Sequence, residues 1–137
     1  MSALYLLDTN IVSYVLKGIH PGLRGRVDSK NPTSLAISAV TAAELRFWLA
    51  RRQGLSRISF HIEDFLRRVP TLPWDASAAT AYGALKATLF SAGRPLAELD
   101  LQIASHALAL DAILVTHDAA FAHVPNLRTE DWVNPQP

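Results

Sequence analysis

An apolar run that stops abruptly in a carboxylate organises this chain. Leu4 to Leu7 read as a short, fully buried strand, and Asp8, Thr9 and Asn10 follow at once. A helical pattern begins immediately afterwards. Ile11, Val12, Val15 and Leu16 recur at helical spacing, and Lys17 and Gly18 close that helix. Asp8 therefore falls where a strand ends and a helix starts. In open α/β sheets ligands bind there, outside the carboxyl ends of the strands.

The same alternation continues along the chain. Pro21 opens a short helix over 21–30, and Asn31 to Ser34 form a loop. Leu35 to Ser38 is the second buried strand. Thr41 begins a helix over Ala42–Arg52, with Leu45, Trp48 and Leu49 on its inner face and Gly54 at its end. Ser56 caps the next helix, where Ile58, Ile62, Phe65 and Val69 fall in step, and Pro70 stops it. Val69 to Leu72 forms a short edge strand, because flanking prolines deny it a central place. Asp75 or Ser77 opens a long helix carrying Ala81, Leu85 and Leu89, which Gly93 and Pro95 end. A helix from Leu96 to Leu110 leads to a third strong strand, Ala112 to Val115. A helical turn at Asp118 and an edge strand from Leu127 to Thr129 complete the pattern. Strands alternating with helices predict a parallel sheet with right-handed crossovers and helices on both faces, a three-layer α/β/α fold.

Composition narrows the function classes. The chain has 137 residues, half of them hydrophobic, with no internal repeat or linker. It reads as a single domain over 1–137 that buries its own core. No apolar run approaches the ~20 residues that span a bilayer, and no basic region precedes an apolar stretch at the N-terminus. There is no cysteine, so disulfides, thiolate zinc sites and cysteine nucleophiles are excluded. Both features fit a cytoplasmic location. Residues 1–94 carry twelve Lys/Arg against six Asp/Glu, whereas residues 95–137 carry one Arg against six acids. A basic part beside an acidic part fits a phosphate-binding surface next to a metal site, although exposed charged faces alone produce similar segregation.

Four acids are predicted to share the carboxyl edge of the sheet. Asp8 ends the first strand. Glu44 lies in the helix that leaves the second strand at Ser38. Asp100 is one turn into a helix that starts at the same edge and runs back, beside the apolar stripe of Leu99, Ile103 and Ala107. Asp118 follows the strand that ends at Thr116 and His117. Each has a plainer alternative. Asp8 and Asp118 also serve as N-caps, Thr41 with Glu44 also reads as a capping box, and Asp100 also suits a helix dipole. Jointly, four carboxylates at one edge repel one another unless protonated or bound to a cation. An all-oxygen set selects Mg²⁺ or Mn²⁺, and none of the five histidines falls in a zinc-ligand spacing. Such an ion neutralises a phosphodiester and activates water for in-line attack. Thr9, Ser38 and Thr116 are placed to orient water or phosphate. Arg46 and Arg51 are candidate guides for a nucleic-acid backbone.

With these residues assembled, the chain resembles the PIN-domain ribonucleases, and most closely the VapC-type toxins of toxin–antitoxin pairs. The matching stretches are Leu7 to Asn10, Ser38 to Leu45, Asp100 to Ala107, Leu114 to Asp118 with Phe121, and the close from Val124 to Trp132. The resemblance implies a PIN-like fold and Asp8, Glu44, Asp100 and Asp118 as the acidic cluster, with Asp8 and Asp100 foremost as metal ligands. It also implies Mg²⁺- or Mn²⁺-dependent cleavage of RNA, a homodimer, and a cognate antitoxin. Two departures lie at the pocket mouth and bear on substrate choice. Ala97, Glu98 and Leu99 precede Asp100 where the family often shows Gly-Pro-Tyr, and His117 replaces a frequent Asn or Arg. A haloacid-dehalogenase-like phosphatase is the rival enzyme, but Asn10 stands where its second Asp belongs. The remaining alternative is a non-catalytic binding module on the same fold.

Overall fold

Both faces of the predicted strands are apolar, so a sheet built from them must be covered twice. The computed structural model describes residues 2–52 and 56–135. In it β1 (Tyr5–Leu7), β2 (Leu35–Ser38), β3 (Thr71–Leu72), β4 (Ile113–Val115) and β5 (Arg128–Glu130) form one sheet in the order β3-β2-β1-β4-β5. Every pairing among these strands is parallel. Leu6 pairs with Ala36 on one side and Leu114 on the other, and these three side chains share a face. Leu7, Ile37 and Val115 share the opposite face.

Among the described residues six helices cover the two faces: α1 (Thr9–Lys17), α2 (Pro21–Ser29), α3 (Ala39–Arg51), α4 (Arg57–Arg68), α5 (Ala76–Ser91) and α6 (Glu98–Leu110). Against the Leu7 face pack Ile11 and Val15 of α1, Leu23 of α2, Leu45 of α3 and Phe65 of α4. Leu85 and Leu89 of α5, with Leu101, Ile103 and Ala107 of α6, pack against the Leu6 face. The expected α/β/α layering is what the chain adopts. No helix among the described residues is long and apolar enough to cross a membrane.

Several boundaries move, each for a local reason. The helix expected to begin at Thr41 begins at Ala39, because the Ser38 hydroxyl accepts a hydrogen bond from the Val40 N–H at 3.1 Å. The last residue of β2 is therefore also the helix cap, and no loop intervenes. Thr41 is buried inside the helix, with its hydroxyl 2.9 Å from that of Thr9. Glu44 consequently lies too deep in α3 to form the capping box. Gly54, expected to end this helix, lies outside the described residues, and α3 ends at Arg51. Asp75 rather than Ser77 caps α5, accepting from Ala78 N–H at 3.2 Å. The helix expected from Leu96 starts at Glu98, just beyond Pro95. Gly18 closes α1 at φ 70°, a left-handed conformation that glycine adopts without steric penalty.

Candidate acidic active site

The register of the sheet sets the site. Continuing it beyond the paired residues puts Asp8 level with Ser38 on one side and Thr116 on the other. The Asp8 N–H extends the ladder by donating to Val115 O at 3.1 Å. Its carboxylate accepts from Ile11 N–H at 2.8 Å and so caps α1. The Thr116 hydroxyl donates to the same carboxylate. Thr116 Oγ1 in turn accepts from the Asp118 N–H at 3.1 Å. One threonine thus ties the first acid to the last. Asp118 also caps a 3-10 turn over Ala119–His123, where its side chain accepts from Ala120 N–H at 2.9 Å.

Three of the four predicted acids feel one another. Burial pushes the Asp8 carboxyl up to about 6, and the charges of Asp100 and Asp118 push it the same way, against the Thr116 and Ile11 hydrogen bonds. Asp8 is only 4% exposed, which is why burial dominates. Asp100, in the first turn of α6, is also raised, by burial first and then by Asp118.

Glu44 is not among the charges that raise Asp8 or Asp100. It lines an open groove with Leu99 and Gln102, which flank the Asp100 position on α6. Among the described residues no three acidic or imidazole side chains converge closely enough to enclose an ion. The hydroxyls predicted to orient water or phosphate are engaged inside the protein: Thr9 with Thr41, Ser38 with Val40, and Thr116 with Asp8 and Asp118. Arg46 is exposed and reaches Glu63 on α4 at 3.5 Å. Arg51 lies over the Phe47 ring, 5.6 Å from its centre.

Other polar residues lie around this edge, and of these the sequence reasoning had singled out only His117, at the pocket mouth. His117 Nδ1 lies 2.8 Å from Asp131 Oδ2, and the His117 ring stands 5.9 Å from that of His20. His20 holds φ 57° without being glycine, and its ring meets Tyr14 edge-on at 5.0 Å. Only its position just before Pro21 marks it in the sequence. His106, a lone histidine in the apolar α6, is buried with Nδ1 2.8 Å from Ser38 Oγ. Polar residues enclosed by apolar ones are the available signal for both His106 and Thr41.

Comparisons with known proteins bear on the family and the fold. Residues 5–127 match the PIN domain family. The chain is 38% identical over 129 residues to the tRNA(fMet)-specific endonuclease VapC of Shigella flexneri, covering 93% of this chain and 97% of that protein. Its fold is similar to that of DNA-bound VapBC from Salmonella typhimurium, with TM-score 0.87 and 30% identity over 96% of this chain and 99% of that one. VapBC-1 of nontypeable Haemophilus influenzae gives TM-score 0.84 and 34% identity over the same 96% and 99%. By its motifs in order, its five-stranded parallel sheet and these relatives, the chain belongs to the PIN-domain family, in its VapC branch.

Proposed function

We propose that this chain is a metal-dependent endoribonuclease, the toxin of a toxin–antitoxin pair, and that Asp8, Asp100, Asp118 and Glu44 form its active site. The observation that carries the reading is the mutual repulsion of Asp8, Asp100 and Asp118 at the carboxyl ends of the strands. Their donor set is wholly carboxylate and hydroxyl oxygen, which fits a hard dication such as Mg²⁺ or Mn²⁺. Asp8 and Asp100 would hold the ion, with Asp118 and Glu44 completing its surroundings. A bound dication supplies charge neutralisation for the phosphodiester and activation of water.

The protein's own groups do the rest. Thr116 fixes the Asp8 carboxylate on one side and the Asp118 backbone on the other. The α1 N-terminus fixes the second Asp8 contact through Ile11. Asp8 is thus held in one orientation before any substrate arrives, which limits reorganisation during reaction. The substrate is RNA, the partner is a cognate antitoxin, the active form is a homodimer, and the setting is the cytoplasm. The curated relatives named as VapC nucleases and the solved VapBC assemblies support this reading. That no three acids among the described residues converge closely enough to enclose an ion favours one competitor, a non-catalytic binding module. Incubating total cellular RNA with the purified, antitoxin-free protein separates the two. Discrete fragments that require Mg²⁺ or Mn²⁺ and vanish with Asp100→Asn support the nuclease. Failure of the folded protein to cleave RNA with either metal supports the binding module.

A further inference from the structure

His106 is 1% exposed in the middle of α6, and no role assigned above uses it. Its Nδ1 lies 2.8 Å from the Oγ of Ser38, which is itself fully buried. Burial lowers the affinity of the ring for a second proton, so it carries one. The location of that proton follows from the other nitrogen. Nε2 is buried without a well-formed hydrogen bond, on the side of the Pro73 carbonyl and Asp75. A bare lone pair facing a carbonyl and a carboxylate is repelled, so the proton sits on Nε2. Nδ1 then accepts from the Ser38 hydroxyl, whose oxygen accepts from Val40 N–H.

This relay joins two pieces of backbone and abuts a third. One is α6, which carries Asp100. The second is the β2–α3 junction, from which Glu44 is carried. The third is the connection from β3 to α5 through Pro73. Ser38 is level with Asp8 across the sheet, so the relay reaches the acidic edge. For stability alone the arrangement is poor, because it leaves a buried N–H without a good acceptor, whereas an apolar pair leaves none. What the relay provides is a fixed relation between helices.

We propose that His106 is a positioning residue for the cation-binding edge: through Ser38 it locks α6 against the start of α3 and so sets Asp100 relative to Asp8 and Glu44. This rests on the nuclease reading above. The test is Mn²⁺ affinity of the full chain, read by electron paramagnetic resonance, with thermal unfolding measured alongside. Polar partners around metal ligands typically change affinity about tenfold or more when removed. His106→Leu and Ser38→Ala are each expected to weaken Mn²⁺ binding about tenfold. His106→Asn, whose Oδ1 replaces Nδ1 as acceptor, is expected to stay within about threefold of wild type, well short of that loss. Combining His106→Leu with Ser38→Ala is expected to add little to either alone. Should His106→Leu fail to fold, Ser38→Ala against His106→Asn carries the comparison. Unchanged Mn²⁺ affinity in Ser38→Ala, or an Asn variant as weak as the Leu variant, overturns the positioning role. A wild-type chain that binds no Mn²⁺ overturns the nuclease reading itself, and this role with it.

Discussion

Replacing Asp8 with Asn should stabilise the metal-free protein while removing its proposed activity. A carboxyl raised from 3.8 to about 6 by folding is held at a disadvantage whenever it is ionised. At 1.36 kcal/mol per pKa unit, the full penalty above pH 6 is about 3 kcal/mol. The sign follows from proton binding. Between pH 3.8 and 6 the folded state holds more protons than the unfolded state, so stability is highest at low pH and falls as pH rises through about 6. Asn caps a helix as well as Asp does, so the bond from Ile11 N–H survives. The net gain for Asp8→Asn at pH 8 in EDTA is therefore about 1–3 kcal/mol. For a domain of this size that raises Tm by roughly 3–10 °C. At pH 4 the two proteins should nearly coincide. Saturating Mn²⁺ should close or reverse the gap, because an ion at about 100 times its Kd adds about 2.7 kcal/mol to whichever protein binds it. Scanning calorimetry at pH 4 and pH 8, with and without Mn²⁺, measures all four values. An Asn variant less stable than wild type at pH 8 without metal, or a difference independent of pH, would refute the argument.

Other substitutions probe neighbouring parts of the structure. Asp118→Asn should leave stability within about 0.5 kcal/mol, since Asn caps the 3-10 turn equally well, yet it should weaken Mn²⁺ binding in calorimetric titration. His106 gives a pH slope opposite to that of Asp8. Burial holds its folded pKa below the ordinary histidine value of 6.5, so stability present above pH 6.5 is lost as pH falls, and urea midpoints of His106→Asn should be flatter there. Gly18→Ala meets no neighbouring atom but must hold φ 70°, so urea unfolding should show a loss of about 1 kcal/mol. Leu6→Ala, in the middle of a doubly covered sheet, should cost about 2–5 kcal/mol by the same assay.

How much of this could be read from the residues depends on the range of each interaction. Strand and helix order follows from local periodicity, and it came through nearly intact from β1 to β5. Helix α3 did not, because two hydroxyl residues three positions apart, Ser38 and Thr41, are equally good caps on paper. Tertiary packing chose Ser38, by burying it against His106 and pairing Thr41 with Thr9. The shared edge of Asp8, Asp100 and Asp118 was legible because topology alone sends strand ends and the start of α6 there. The start of α3 at Ala39, which puts Glu44 in the second turn rather than at the third helical position, was not legible, because it depends on partners distant in sequence. His106 was overlooked for a related reason. A histidine within an apolar helix says that a partner exists, but the partner is on another element, far away in sequence.

The position of β1 has a consequence for how the protein comes into being. It is the first strand of the chain, yet it lies in the middle of the sheet, with β2 on one side and β4 on the other. During synthesis β1 can meet β2 early, but its other edge stays open until the residues of β4 emerge. Until then the Asp8 amide lacks its Val115 acceptor, its carboxylate lacks Thr116, and Asp118 does not yet exist. The acidic edge is therefore completed late, by the C-terminal part of the chain. A nascent or prematurely ended product that stops short of β4 carries Asp8 and Asp100 without the edge that would make them a site.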